Sequence, residues 1–313
     1  MSFDTTQNPL AGVGQINPGE KPADVHPPVR PAVFADRARR FDALAAGHAL
    51  GDYLRLLGRI SALQHECLRD HPAVALPTAD ALARALEFSM PPVPVTGWPR
   101  DPAWRTHLKH IVAGLRTDAT PAVAAVLDAI DAADEAELER LADAVLAADY
   151  AVEGAAGRLP LIAAALQVYW THMACAPELA GLKRLDVDNV CPCCGSLPVT
   201  SVLRIGYEVA NLRYLHCSIC NTEWNLTRAR CVSCGELQKI SYRHIEGSQG
   251  SVRAECCEAC HGYLKIVQQD KDPLVDPVAD DLASLTLDLL VDEAGFERTG
   301  PNPLFIPGNT GEA

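Results

Sequence analysis

Eight of the twelve cysteines in this 313-residue chain repeat in register. The first set is Cys191-x-x-Cys194, twenty-two residues, then Cys217-x-x-Cys220; the second is Cys231-x-x-Cys234, twenty-two residues, then Cys257-x-x-Cys260. Each position of the first set recurs 40 residues later. Paired C-x-x-C hooks at such a separation supply the four sulphur ligands of a closed tetrahedral metal site. The pattern therefore points to two sites of four thiolates each. Gly195 and Gly235 follow the first hook of each set. A hook that turns its backbone N–H groups toward sulphur needs a positive φ there, which glycine adopts without strain.

The twenty-two intervening residues suffice for a small antiparallel β unit that returns the chain to its second hook, the plan of a rubredoxin or zinc ribbon. A segment of roughly forty residues holds little core of its own, so metal is expected to supply much of each module's stability. Spacing does not choose between zinc and iron. A saturated site offers no open position to a substrate, which argues against metal-assisted hydrolysis. Disulfides are the alternative use of the cysteines. The start, MSFDTTQNPLAGVGQINPGEKP, has neither a basic nor an apolar signal region, so a reducing cytoplasm is the expected compartment.

The chain divides into five stretches: a proline-rich leader over 1–30, a helical domain over 31–182, module 1 over 183–226, module 2 over 227–272, and a closing helix and tail over 273–313. The fold class expected is a mainly α N-terminal helical domain, two small tandem rubredoxin- or zinc-ribbon-like β modules, and a C-terminal helix. In the helical half, Tyr53, Leu57, Ile60, Gln64 and Cys67 recur at helical steps, with Leu56 and Leu63 widening the stripe. Asp101-Pro102 and Thr120-Pro121 read as an N-cap followed by proline at the first helical position. Leu138, Leu141, Val145 and Leu146 line one face of a helix whose first turn is acidic (Asp134, Glu135, Glu137). Arg158 to Glu178 is uncharged between its ends, yet carries Pro160, Gln167, Thr171 and His172. It reads as a buried core helix rather than a membrane span. Val199–Ile205, Arg213–Leu215, Lys239–His244 and Tyr263–Val267 read as strands, and Asp280–Glu293 as a helix with Leu282, Leu285 and Leu289 on one face.

Other candidate ligands read as subsidiary. Cys193 and Cys256 sit beside hooks and read as free thiols near the ligand set. His216 and His261 flank hook cysteines and read as hydrogen-bonding neighbours. His107/His110 and His172/Cys175 have helical i, i+3 spacing but no further ligand nearby in sequence. No catalytic acid/base pair, phosphate loop or nucleophile elbow is present. The formal net charge is −13, and Val190–Asp270 holds eight Lys/Arg against seven Asp/Glu. Eight thiolates outweigh two divalent metals, so the modules lack the basic face of a nucleic-acid-binding ribbon.

CPCCGSLP (Cys191–Pro198), RYLHCSICNTEW (Arg213–Trp224), the second pair of hooks and DDLASLTLDLLVDEAGFERTGPNP (Asp280–Pro303) together resemble the formate dehydrogenase accessory protein family, FdhE. The resemblance covers most of residues 190 to 303. Cys193 departs from it, since the family hook more often has another residue there. It implies a cytoplasmic, non-catalytic maturation factor for respiratory formate dehydrogenase that binds the enzyme's catalytic subunit before export by the twin-arginine route. It also implies two iron ions, one on each set of four hook cysteines, with zinc as the alternative. On this reading the acidic helical surface favours a basic segment of the client. No nucleic acid and no membrane span are expected, and a homodimer is left open. The rival readings are a stand-alone rubredoxin-like electron carrier and a nucleic-acid-binding zinc-ribbon protein.

Overall fold

The computed structural model of the chain describes residues 23–152, 157–205, 212–227, 229–247 and 250–305. A helical half leads into one mixed sheet, and two short helices close the chain. The helices are α1 (Val33–Ala45), α2 (Gly51–Arg69), α3 (Ala79–Glu87), α4 (Ala103–Leu115), α5 (Pro121–Ala132), α6 (Glu135–Leu146) and α7 (Arg158–Ala174). Helix α7 is the axis: every residue from Leu161 to Thr171 is buried, and α2, α4, α5 and α6 pack around it. An apolar surface on all sides is what a fully enclosed helix requires, so the uncharged run is the core helix that its composition indicates.

Local signals behave as physical chemistry dictates, with shifts of a residue. Thr120 and Asp134 cap α5 and α6 by accepting from the N–H groups of Val123 and Glu137. Asp101 accepts from the Ala103 N–H at 2.8 Å and so caps α4 from one residue further out. Along α2, Leu57, Ile60, Gln64 and Cys67 are buried, joined by Leu54, Ser61 and Leu68, while Tyr53, Leu56 and Leu63 are only partly so. The buried face is the expected stripe, and Gln64 pairs with Gln167 of α7 at 3.0 Å.

The sheet contains β1 (Val25–His26), β2 (Pro198–Arg204), β3 (Leu212–Cys217), β4 (Glu223–Asn225), β5 (Ile240–Arg243), β6 (Val252–Cys257), β7 (Gly262–Gln268) and β8 (Glu297–Arg298). Its order is β1-β4-β3-β2-β7-β6-β5, with β8 also on β7. Module 1 contributes β2, β3 and β4, and module 2 contributes β5, β6 and β7 in the same internal arrangement. The modules join head to tail, because β2 and β7 pair in parallel with Ser201 opposite Ile266 and Leu203 opposite Gln268. They are thus two copies of one unit fused into one sheet, each copy burying an edge of the other. Arg213 and Glu255 add a buried ion pair of 2.8 Å between the copies.

Two expectations need correction. The leader does not run to residue 30: residues 1–22 lie outside the described residues, but Val25–His26 pairs with Glu223–Trp224 at the edge of module 1. Arg30 donates to the Leu68 carbonyl at 2.7 Å. The closing helix is also not continuous. It breaks at Ala283–Ser284 into α8 (Ala279–Leu282) and α9 (Leu285–Glu293). The Ser284 hydroxyl donates to the carbonyls of Asp280 and Asp281, and Lys265 Nζ takes the Asp281 carbonyl at 2.6 Å. A side chain competing for helix carbonyls ends the helix. The turn rotates the apolar face, so Leu287 and Val291 pack against Ala254, Cys256 and Tyr263, whereas Leu289 is 66 % exposed.

The helical half also gathers three imidazoles. His71, in the loop after α2, stacks on His172 with centroids 3.8 Å apart and lies 4.4 Å from His107. Arg30 Nη2 donates to His172 Nδ1 at 2.7 Å, since a guanidinium cannot accept. Burial, reinforced by the neighbouring imidazoles, lowers His107 to about 4; burial, then His71 and Arg30, lowers His172 to about 3. The unfolded chain therefore takes up these protons first, near pH 6.5. Stability is full above that pH and falls as the pH drops toward 4. For His107, 4 % exposed, the loss reaches about 3 kcal/mol. Thermal midpoints measured across this window fall for the native chain and fall less steeply for His107→Gln; equal slopes would remove His107 from the account.

Candidate metal centres

Each hook is a turn that ends in a left-handed residue. Gly195 (φ 77°) and Gly235 (φ 78°) follow the first hooks, and Asn221 (φ 60°) and His261 (φ 59°) follow the second. The four positions match under the 40-residue shift. The glycines are visible in the sequence; Asn221 and His261 carry the same backbone role at residues that adopt this region less readily. The turn directs N–H groups at sulphur. The Cys193 N–H donates to Cys191 Sγ, and the N–H groups of Ile219 and Cys220 to Cys217 Sγ, each at 3.4 Å. In module 2 the N–H groups of Cys234 and Ser233 serve Cys231, that of Glu236 serves Cys234, and that of Gly262 serves Cys260.

The eight hook cysteines come together as two sets. In each set all four sulphurs lie within 4.8 Å of one another, and among the described residues no other such group of His, Cys, Asp and Glu forms. In the first centre Cys191 and Cys220 are 3.5 Å apart and Cys194 and Cys217 3.4 Å. In the second, Cys231–Cys260 and Cys234–Cys257 are each 3.7 Å apart. A metal with four sulphurs at about 2.3 Å needs tetrahedron edges of about 3.8 Å. The second centre meets that value and the first is slightly contracted, so both donor sets fit such an ion.

The centres differ in their casing. All four cysteines of the first are fully buried. The segment before α4 covers one hook, with the Val93 N–H donating to the Cys193 carbonyl at 3.2 Å and the Val95 N–H to the Cys194 carbonyl at 2.9 Å. Helix α7 covers the other: Gln167 Nε2 donates to the Ser218 carbonyl at 2.8 Å, and Asn221 Nδ2 to Thr171 Oγ1 at 2.8 Å. Arg37 of α1, wholly buried, donates to Asn221 Oδ1 at 2.8 Å. In the second centre Cys231 and Cys257 are buried, but Cys234 and Cys260 are exposed.

The flanking candidates take definite places. Cys193 is buried against the first centre. The hydrogen bond with Cys220, then burial, holds its proton on, and the neighbouring thiols draw Cys220 well below the ordinary range although burial acts the other way. Cys256 is buried on the module 2 core, away from the sulphur set. His216 lies between Glu223 and Asn221 Oδ1 at 3.0 and 3.1 Å, whereas His261 forms the knuckle itself and faces Phe296. His110 is exposed beside Glu66, and the Cys175 thiol donates to the Pro28 carbonyl. His71 is the residue that sequence spacing gave no means of joining to His107 and His172.

Comparison with known proteins covers most of the chain. The family descriptions FdhE N-terminal, FdhE central domain and FdhE C-terminal domain match residues 22–185, 190–228 and 229–305. Protein FdhE of Salmonella dublin is 39 % identical over 294 residues, spanning 92 % of this chain and 94 % of its own. A protein FdhE homolog of Edwardsiella ictaluri is 42 % identical over 277 residues, spanning 88 % and 89 %. The crystal structure of the FdhE protein from Pseudomonas aeruginosa superimposes with a TM-score of 0.80 at 36 % identity, covering 92 % of this chain and all of that one. The chain belongs to the FdhE family.

Burial raises the thiols of Cys191 and Cys217 far above their ordinary range and pushes Cys231 up to about 12. Metal uptake must expel these protons, so affinity rises with pH and loading acidifies a weakly buffered solution. Titration with zinc at a series of pH values measures both effects; pH-independent affinity would contradict thiol ligation. Cys193→Ser retains a donor toward Cys220, and metal analysis is expected to find two ions per chain in it, as in the native protein.

Proposed function

We propose that this FdhE-family chain is a non-catalytic maturation factor for formate dehydrogenase, binding the enzyme's catalytic subunit in the cytoplasm before export. Its metal ligands are Cys191, Cys194, Cys217 and Cys220 at the first centre and Cys231, Cys234, Cys257 and Cys260 at the second. Iron at each centre is the favoured occupant, with zinc as the alternative. The observation that carries this reading is the convergence of all eight hook cysteines into two closed four-sulphur sets, in a chain of which 92 % and 88 % align with two FdhE proteins. Four thiolates satisfy a tetrahedral ion completely, so bound metal supplies folding energy and, if it is iron, a one-electron couple.

Further support comes from the surface. Much of the helical acidity is internally paired: Glu139 accepts from Arg100 and from Trp104 Nε1, and Arg116 from α4's end meets Asp128 at 2.9 Å. The net charge of −13 nevertheless leaves an anionic exterior, suited to a basic client segment rather than to nucleic acid. Among the described residues no helix is long and apolar enough to cross a membrane.

Anaerobic purification with metal analysis and a visible spectrum tests the occupant: two irons per chain with thiolate charge-transfer bands are expected, and two zincs would leave no redox role. Capture of the catalytic subunit on the immobilised protein tests the partner. Binding that weakens with salt and with removal of the client's basic leader is expected, and no capture in any form would contradict the reading.

A further inference from the structure

The two centres have the same ligands and the same knuckles but opposite surroundings. We infer that they have different tasks: the first is a permanent joint of the fold, and the second is an exchange centre from which Cys234 and Cys260 hand metal to, or accept it from, an external soft thiolate ligand. This inference rests on the reading that both sulphur sets hold metal.

The argument is one of access. Ligand substitution at a four-coordinate thiolate site needs an incoming sulphur to reach the ion while a resident sulphur departs. At the first centre all four sulphurs are fully buried. Their hooks are tied by backbone bonds to Val93 and Val95 and by side-chain bonds to Gln167, Thr171 and Arg37. No thiol can approach before α7 and the segment at 93–95 lift away, which amounts to opening the main core.

At the second centre each hook supplies one buried and one exposed cysteine: Cys231 with Cys234, and Cys257 with Cys260. Ser233, Glu258, Ala259 and His261 around the exposed pair are exposed too. The centre also lies toward the free end of the sheet. Strand β1 covers the outer edge of β4, but among the described residues β5 pairs only with β6. An approaching thiolate can bind as the sulphur of Cys260 or Cys234 leaves as thiolate. Charge is conserved and no electron is transferred; once both exposed sulphurs are replaced, Cys231 and Cys257 still hold the ion with one anchor on each hook, and two further incoming thiolates displace them to complete the transfer.

The experiment loads the full chain with zinc, confirms two ions per chain, and follows release to an excess of a small dithiol chelator under anaerobic conditions. Two phases of one ion each are expected, separated by at least about a hundredfold, because local opening is far easier than global unfolding. Cys234→Ser should bind one ion, show only the slow phase and keep the native circular dichroism of its helices. The slow phase should follow the unfolding rate as denaturant is added, and the fast phase should not. Two ions lost at one rate, or a fast phase that persists in Cys234→Ser, would overturn the inference. Failure to bind two ions at the outset would instead overturn the metal reading on which it rests.

Discussion

Four sulphur atoms buried together, with no side-chain cation among them, create the central demand of this molecule. As thiols they are poor mutual partners; as thiolates they repel one another in a medium that screens little. A divalent ion would resolve the conflict, with the N–H groups of the knuckles spreading the remaining charge. The first centre is the acute case, because it lies between the helical half and the sheet. Leu215, Trp224 and Leu264 of the sheet share one apolar core with α7, and Asn221, directly after Cys220, is grasped by Thr171, Arg37 and His216. What fixes the four hook sulphurs also fixes the docking of the two halves.

The duplicated unit explains the rest of the architecture. Since the copies join head to tail, one edge of each copy is buried in the junction, and the outer edges differ. The module 1 edge is sealed by Val25–His26, with the Tyr214 hydroxyl donating to the Ala23 carbonyl at 3.0 Å. The module 2 edge ends at β5. Helices α8 and α9 and strand β8 close the other side of module 2: Asp281 of α8 accepts from Lys265, Arg298 and Asn302 at 2.8–2.9 Å, and Asp288 of α9 accepts from Lys265 at 2.6 Å and Arg298 at 3.1 Å. Arg298 and Lys265 hold the Asp281 carboxylate below its ordinary range although burial opposes them. The asymmetry in solvent access thus follows from topology, as two identical ligand sets acquire different neighbours when their modules are arranged in line.

Much of this was legible in the residues. The C-x-x-C register gave both sulphur sets, and the uncharged run gave α7, because these signals are local and chemically unambiguous. The long-range features were not legible. Parallel pairing of β2 with β7 leaves no mark in either strand. Glu223–Asn225 is too short to show alternation, and Val252–Cys257 is interrupted by Arg253 and Glu255, of which Glu255 meets Arg213 of module 1 across the sheet rather than facing water. The break at Ser284 depends on Lys265, nineteen residues away in sequence. The contact of Asn221 with Thr171 spans fifty.

The central claim is that the first centre is the joint between the halves. Hydrogen exchange read by mass spectrometry on loaded and metal-stripped protein tests it directly. The account predicts that stripping raises exchange in α7 and in the segment around Val93–Val95 together with β2, β3 and β4. A stripped protein in which those strands open while α7 keeps its full protection would contradict it.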